Sequence, residues 1–96
     1  MNHIPFEDRK RVYASALRKF GADKQAVKAI EELSEVTKEI CKTLLGDGNR
    51  EHLAEELADA TIMLEQLRQI FNVNESTLTW IDYKISELKR KVSRGD

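Results

Sequence analysis

Apolar residues recur at three- and four-residue spacings along nearly the whole chain, and no stretch alternates residue by residue. That periodicity predicts helices and no strands. Pro5 suits a first helical turn, where its missing N–H costs nothing. The first helix runs from about Phe6 to Phe20, with Phe6, Val12, Tyr13, Ala16, Leu17 and Phe20 on its apolar side. Gly21 follows, where glycine is favoured after the last turn. Asp23 is the expected N-cap of a second helix. Its stripe of Ala26, Ile30, Leu33, Val36, Ile40 and Leu44 continues to Leu45. Gly46-Asp47-Gly48-Asn49 is the clearest turn. Asn49 can cap a third helix, with Glu51 near its positive end and a stripe of Leu53, Leu57, Ala60, Leu64, Leu67 and Phe71. After the break at Asn72-Val73-Asn74, Asn74 or Ser76 is the expected cap of a fourth helix carrying Leu78, Ile81, Ile85, Leu88 and Val92. Trp80 and Tyr83 lie near that last stripe. Four helices with short connections predict an all-α, antiparallel four-helix bundle. It forms a single domain over residues 1–96, with loose ends at 1–4 and 94–96.

Composition narrows the class. The chain has 96 residues, 41% hydrophobic and 34% charged, with one Pro and four Gly. That is too apolar for a disordered segment and suits a small soluble helical domain. A chain this short buries a modest fraction of its surface, so completion by pairing with a second copy is expected. The single Cys41 excludes an internal disulfide, and its apolar helical setting predicts a small buried side chain. The opening Met1-Asn2-His3-Ile4-Pro5 is followed by charge and is not a signal-peptide pattern. No apolar run approaches the roughly 20 residues of a membrane span. A cytoplasmic location follows as the expectation. A net charge of −1 argues against general attraction to nucleic acid or an anionic membrane. The charge is uneven, however. Residues 51–65 carry five acids and no Lys or Arg, whereas residues 84–94 carry five Lys or Arg against Glu87 alone.

Two acidic patterns stand out: Glu31-Glu32-Leu33-Ser34-Glu35 and Glu55-Glu56-Leu57-Ala58-Asp59. Acids three apart share a helix face, so Glu32 pairs with Glu35 and Glu56 with Asp59. At about 100° per residue, Glu56 projects into the middle of its helix's apolar side, among Leu53, Ala60 and Met63. Asp59 lies at the edge of that side. Glu32 sits beside Val36 at the margin of the second helix's stripe, with Glu35 further out. Glu31 and Glu55 point elsewhere, towards solvent. A carboxylate facing a core needs a partner or a metal. Neither inward group has a neutralising cation in its own helix, with Lys28 and Lys42 expected to pair with Glu35 or Glu39 at the surface. Magnesium suits such an oxygen-only set. His3 and His52 are isolated, with His52 expected to be exposed, so no cluster supports zinc. Four carboxylates could also hold two ions or a di-iron centre, although the Glu-x-x-His pattern that usually accompanies di-iron is absent.

This arrangement resembles the MazG-like all-α nucleoside triphosphate pyrophosphohydrolases, in particular the short single-domain bacterial and phage members. The resemblance rests on Glu31-Glu32-Leu33-Ser34-Glu35, then Glu56-Leu57-Ala58-Asp59 on the next helix. Ala29-Ile30 precedes the first pattern and Ile62-Met63-Leu64-Glu65-Gln66-Leu67 follows the second. It spans roughly residues 17–90. It implies Mg²⁺-dependent cleavage of an NTP or dNTP to the monophosphate and pyrophosphate, in nucleotide-pool housecleaning, with Mn²⁺ as a substitute ion. By motif position Glu32, Glu35, Glu56 and Asp59 are the implied metal ligands, and Glu31 the residue available to activate water. The resemblance also implies a dimer, or a tetramer built from dimers, and phosphate contacts from basic residues, with Lys84 the first candidate and Lys42 the second. Phe20, Trp80 and Tyr83 are the candidate base contacts. The Lys-x-x-x-Asn signature of longer members is incomplete here: Lys84 can match, but the Asn is absent. The alternatives are a narrower dUTP or dCTP specificity, or a non-catalytic helical dimerisation module that keeps the fold and uses Glu56 in a structural ion pair.

Overall fold

A computed structural model describes residues 3–95; the expectation of loose ends falls in part on residues 1, 2 and 96, which lie outside the described residues. Those residues form four helices and no strand: α1 Phe6–Phe20, α2 Ala22–Leu44, α3 Arg50–Ile70 and α4 Asn74–Arg94. The breaks fall where the turn residues stand. Gly21, at φ 91°, closes α1 and opens α2 by itself. One residue thus serves both ends, and Asp23 lies inside the first turn of α2 instead of capping it. Pro5 is likewise the residue before α1 rather than its first. Gly46 takes a positive φ. A Cβ on Gly48 would stand 2.7 Å from the Thr43 Cα, so only glycine lets this turn fold back on the end of α2. Asn49 does cap α3, accepting from the His52 backbone N–H at 2.9 Å. Neither Asn74 nor Ser76 caps α4: Val73 occupies that position, and no side chain supplies the bond. The left-handed Asn72 (φ 55°) turns the chain so tightly that Asn74 is already helical.

α2 and α3 form an antiparallel hairpin. Its register is read from three contacts in which one number falls as the other rises: Gln25 with Gln66, Glu32 with Asp59 and Glu39 with His52. The seam is polar for a helix pair. On α2 it consists of Gln25, Ala29, Glu32, Val36, Glu39 and Thr43; on α3, of Leu53, Glu56, Ala60, Met63, Gln66 and Ile70. Buried amides must bond, and Gln25 Nε2 donates to Gln66 Oε1 at 2.9 Å.

This seam corrects the predicted stripes. Of the α2 stripe, only Ala26 and Val36 are partly covered, whereas Ile30 is 64% exposed and Leu44 81%. On α3, Leu57, Leu64 and Phe71 are exposed. On α1, Tyr13 is buried but Val12 and Phe20 are exposed. Cys41 is also exposed, because it stands two positions past Glu39 and therefore points away from α3. The apolar residues of α2 and α3 lie one position after the seam residues, a rotation of about 100°. Because the helices run in opposite directions, that rotation carries both stripes to the same side of the hairpin. Residues one position before the seam all point to the other side.

α1 packs on that second side. Arg9 grips Glu65 of α3 with a two-pronged ion pair, Nε to Oε1 and Nη2 to Oε2, both at 3.0 Å. Tyr13 donates its hydroxyl to Glu65 Oε1 at 2.5 Å. Burial and Glu65 together push the Tyr13 hydroxyl up to about 12. α4 is different. Among the described residues its backbone comes close to that of α3 alone, and it buries none of its own side chains. The predicted bundle is therefore not closed within one chain.

Candidate metal centre

The hairpin register brings the two acidic patterns together. One carboxylate oxygen each from Glu32, Glu56 and Asp59 lies within 4.8 Å of the others. The Glu32 and Glu56 side chains are only 18% and 12% exposed. Because both residues belong to the seam, α2 and α3 cannot pack without aiming these groups at each other. Asp59 stands one position before Ala60 and reaches in from the rim. Glu35 is exposed and lies outside the trio, yet it is close enough to act on Glu56. Glu31 is exposed on the rim.

The electrostatics follow from this crowding. Burial is the main force pushing the Glu56 carboxyl above its ordinary value. His52 opposes it, and the negative charges of Glu32, Asp59 and Glu35 add to it. Such a group favours a positive partner. The donor set is oxygen-only, comes from two rigid helices and is open on one side, which fits a hard divalent cation that keeps part of its water.

Glu39, His52 and Lys28 also reach this site although none was among its expected residues, and the expected Lys42–Glu39 pair forms, with Glu39 buried instead of at the surface. Glu39 is buried in the seam, where His52 Nε2 lies 3.3 Å away and Lys42 Nζ 3.6 Å. His52 Nε2 is also 3.6 Å from Glu56. His52 therefore bridges two inward carboxylates, although half its side chain remains exposed. Its position one turn before Glu56 was visible in the sequence, but its reach to Glu39 depends on the hairpin register. Lys28 also corrects the expectation of no local partner, lying 3.5 Å from Glu32 Oε1. His52→Ala is expected to raise the Glu56 pKa further, because the opposing positive influence is lost. Carbon-detected NMR titration of the glutamate carboxyls checks this, and an unchanged Glu56 titration would contradict it.

The other candidates are spread out. Lys42 is tied to Glu39, one seam position beyond the cluster. Lys84 lies on α4, over the Trp80 ring, on a helix whose backbone does not come close to that of α2. Trp80 and Tyr83 stack edge to face on α4 at 5.7 Å, also away from the carboxylates. Phe20 is better placed: with Lys24, Val27, Lys28 and Glu31 it lines an open pocket of about 570 Å³. Lys24, Lys28, Glu31 and Glu35 all precede seam residues, so this pocket and the cluster's rim share one side of the hairpin.

No family model, curated protein or solved structure matches the chain. No helix among the described residues is long and apolar enough to cross a membrane.

Proposed function

We propose that this chain is a MazG-like, Mg²⁺-dependent nucleoside triphosphate pyrophosphohydrolase that converts an NTP or dNTP to the monophosphate and pyrophosphate. The supporting observation is the convergence of Glu32, Glu56 and Asp59 oxygens within 4.8 Å from two consecutive helices, at the positions the family resemblance marks. Those three would hold the ion, with Glu35 reaching in from the rim. A bound Mg²⁺ supplies charge neutralisation at the phosphates and a lowered pKa for water.

The chain's own residues do the rest by positioning and electrostatics. Lys28 stands between Glu32 and the Phe20 pocket, so it can exchange its carboxylate for a phosphate oxygen. Lys24 extends the same cationic edge. Phe20 offers an apolar face to a base, and Glu31, on the open rim, can accept a proton from the attacking water. This geometry ranks Lys28 and Lys24 ahead of Lys84 and Lys42 for phosphate contact within one chain. A homo-oligomer, a cytoplasmic setting and a housecleaning role complete the proposal.

The second reading is a non-catalytic dimerisation module. The His52–Glu56 contact at 3.6 Å favours it, because a histidine can satisfy the inward carboxylate without a metal. Phosphorus NMR of a panel of NTPs and dNTPs, with and without Mg²⁺, separates the two. Mg²⁺-dependent appearance of monophosphate and pyrophosphate supports the enzyme. No cleavage of any nucleotide by folded protein sinks it and leaves the module.

A further inference from the structure

α4 carries chemistry that the hairpin site does not use. It buries none of its side chains, and Trp80 and Tyr83 are 56% and 53% exposed. The two rings stand edge to face at 5.7 Å, and Lys84 Nζ lies 5.8 Å from the Trp80 ring centroid. At about 100° per residue, Lys84, Lys91 and Arg94 all project within about 40° of the Trp80 direction, and Tyr83 lies about 60° away. The apolar stripe of Leu78, Ile81, Ile85, Leu88 and Val92 begins about 80° round on the other side. One face of α4 therefore presents two aromatic rings followed by a basic track.

The charge follows the same line. Residues 84–94 hold five Lys or Arg against Glu87 alone, and Glu87 is already engaged by Arg90 Nη2 at 2.5 Å. Lys84 and Lys91, with Glu87 and Leu88 between them, line an open pocket of about 260 Å³. The chain's net charge of −1 averages this stretch with the acidic hairpin. A ligand at the surface feels the charges within about 10 Å, not that average. From Trp80 to Arg94 the track rises about 21 Å, enough for a short run of nucleotides.

We infer that this face of α4 binds single-stranded nucleic acid, with bases against Trp80 and Tyr83 and phosphates along Lys84, Lys91 and Arg94. An unpaired base offers an open π-face to an aromatic ring, whatever its sequence. The strand's backbone supplies the row of anions that the basic track needs. A duplex keeps its bases stacked on one another and offers the track its phosphates alone. A bilayer would seat on the apolar stripe, not on this face. An acidic peptide would answer the lysines but bring no row of flat rings to Trp80 and Tyr83. The α4 backbone does not come close to that of α2, so this surface stands apart from the carboxylate cluster and independently of the hydrolase reading.

Fluorescence titration of the full chain with single-stranded DNA and RNA of about 12 nucleotides, in metal-free buffer, tests the inference. Trp80 is the chain's only tryptophan, so its emission reports this face directly. Saturable quenching by single strands is expected, with little quenching by the matching duplex. The logarithm of affinity should fall with the logarithm of salt at a slope of about −2, as for three neutralised phosphates. By anisotropy of a labelled strand, Trp80→Ala should weaken binding about 10-fold, and Trp80→Phe, which keeps a ring, should recover most of it. Lys91→Glu should also weaken binding about 10-fold and flatten the salt slope. Lys38→Glu, the same charge change at an exposed position on α2, should leave affinity within about 2-fold. Circular dichroism should show every variant still helical, since none of these side chains is buried. Binding of DNA alone or of RNA alone supports the inference and names the strand. No strand binding, binding that leaves Trp80 emission unchanged, or equal weakening by Lys38→Glu would overturn it. Tighter binding of poly-glutamate than of either strand would overturn it too, and would assign the face to acidic peptides. Strand binding by a chain that cleaves no nucleotide would leave this inference standing and remove the hydrolase reading.

Discussion

Glu56→Gln should abolish Mg²⁺-dependent nucleotide cleavage and, in the absence of metal, raise the melting temperature. The loss of turnover should be at least about 100-fold, since even residues that only orient a metal's ligands cost 10–100-fold. The gain in stability follows from the direction of the Glu56 shift. Burial, then the neighbouring carboxylates, hold its pKa above the ordinary value. The folded state therefore binds the proton more tightly than the unfolded state does. Stability from this group is greatest at low pH and is lost as pH rises through the folded pKa. At neutral pH the ionised carboxylate is a burden that Gln removes while keeping the size. Activity and metal-free melting curves on the same preparation check both halves. A variant that loses activity because it melts lower would contradict the account.

Glu65→Ala should be the most damaging substitution to the fold, lowering stability by about 2–4 kcal/mol, or roughly 10–20 °C in melting temperature for a domain of this size. Glu65 ties α1 to α3 by charge through its two-pronged pair with Arg9. Its loss leaves Tyr13, buried at 4% exposure, without its acceptor. Burial alone would raise the Glu65 pKa. The hydrogen bonds from Arg9 and Tyr13, and then the charges of Arg9 and Arg68, outweigh it and hold the carboxyl below its usual range. The sign is thus opposite to that of Glu56. The Glu65 contribution is present above the ordinary carboxylate pKa and disappears as pH falls through the lower folded value. At the alkaline end, the Tyr13 hydroxyl is raised to about 12, so its contribution fades as pH climbs from the ordinary tyrosine range towards that value. Melting curves across pH should show the wild-type advantage over Glu65→Ala shrinking at both extremes. A difference that does not change with pH would mean the link is packing alone.

The four helices were legible because their breaks are written in turn residues: Gly21, the Gly46–Asn49 segment and Asn72. The caps were less so. Asp23 and Asn74 have capping chemistry, but the turns before them are one residue shorter than capping requires. The convergence of Glu32, Glu56 and Asp59 was also legible, since it needs only helical spacing and one hairpin. The seam itself was not. Apolar periodicity assigns the strongest stripe to the interior, yet here Gln25, Glu32, Glu39 and Gln66 occupy the α2–α3 seam, and Ile30, Ile40, Leu57 and Leu64 lie one position round on an open side. Apolar spacing does not say which of two neighbouring faces of a helix its own chain will bury. Arg9, Tyr13 and Glu65 were hidden for a different reason: more than 50 residues separate the partners, and nothing local marks them as a pair.

Glu32, Glu56 and Asp59 are proposed to hold a divalent cation together. Isothermal titration of Mg²⁺ and of Mn²⁺ into metal-free protein, alongside Asp59→Asn and Glu56→Gln, tests it most directly. Saturable binding by the wild type that both substitutions remove, with the variants folded, is the predicted result. Absence of binding, or binding unchanged in both variants, would contradict it and leave the cluster as a polar seam balanced by His52 and Lys28.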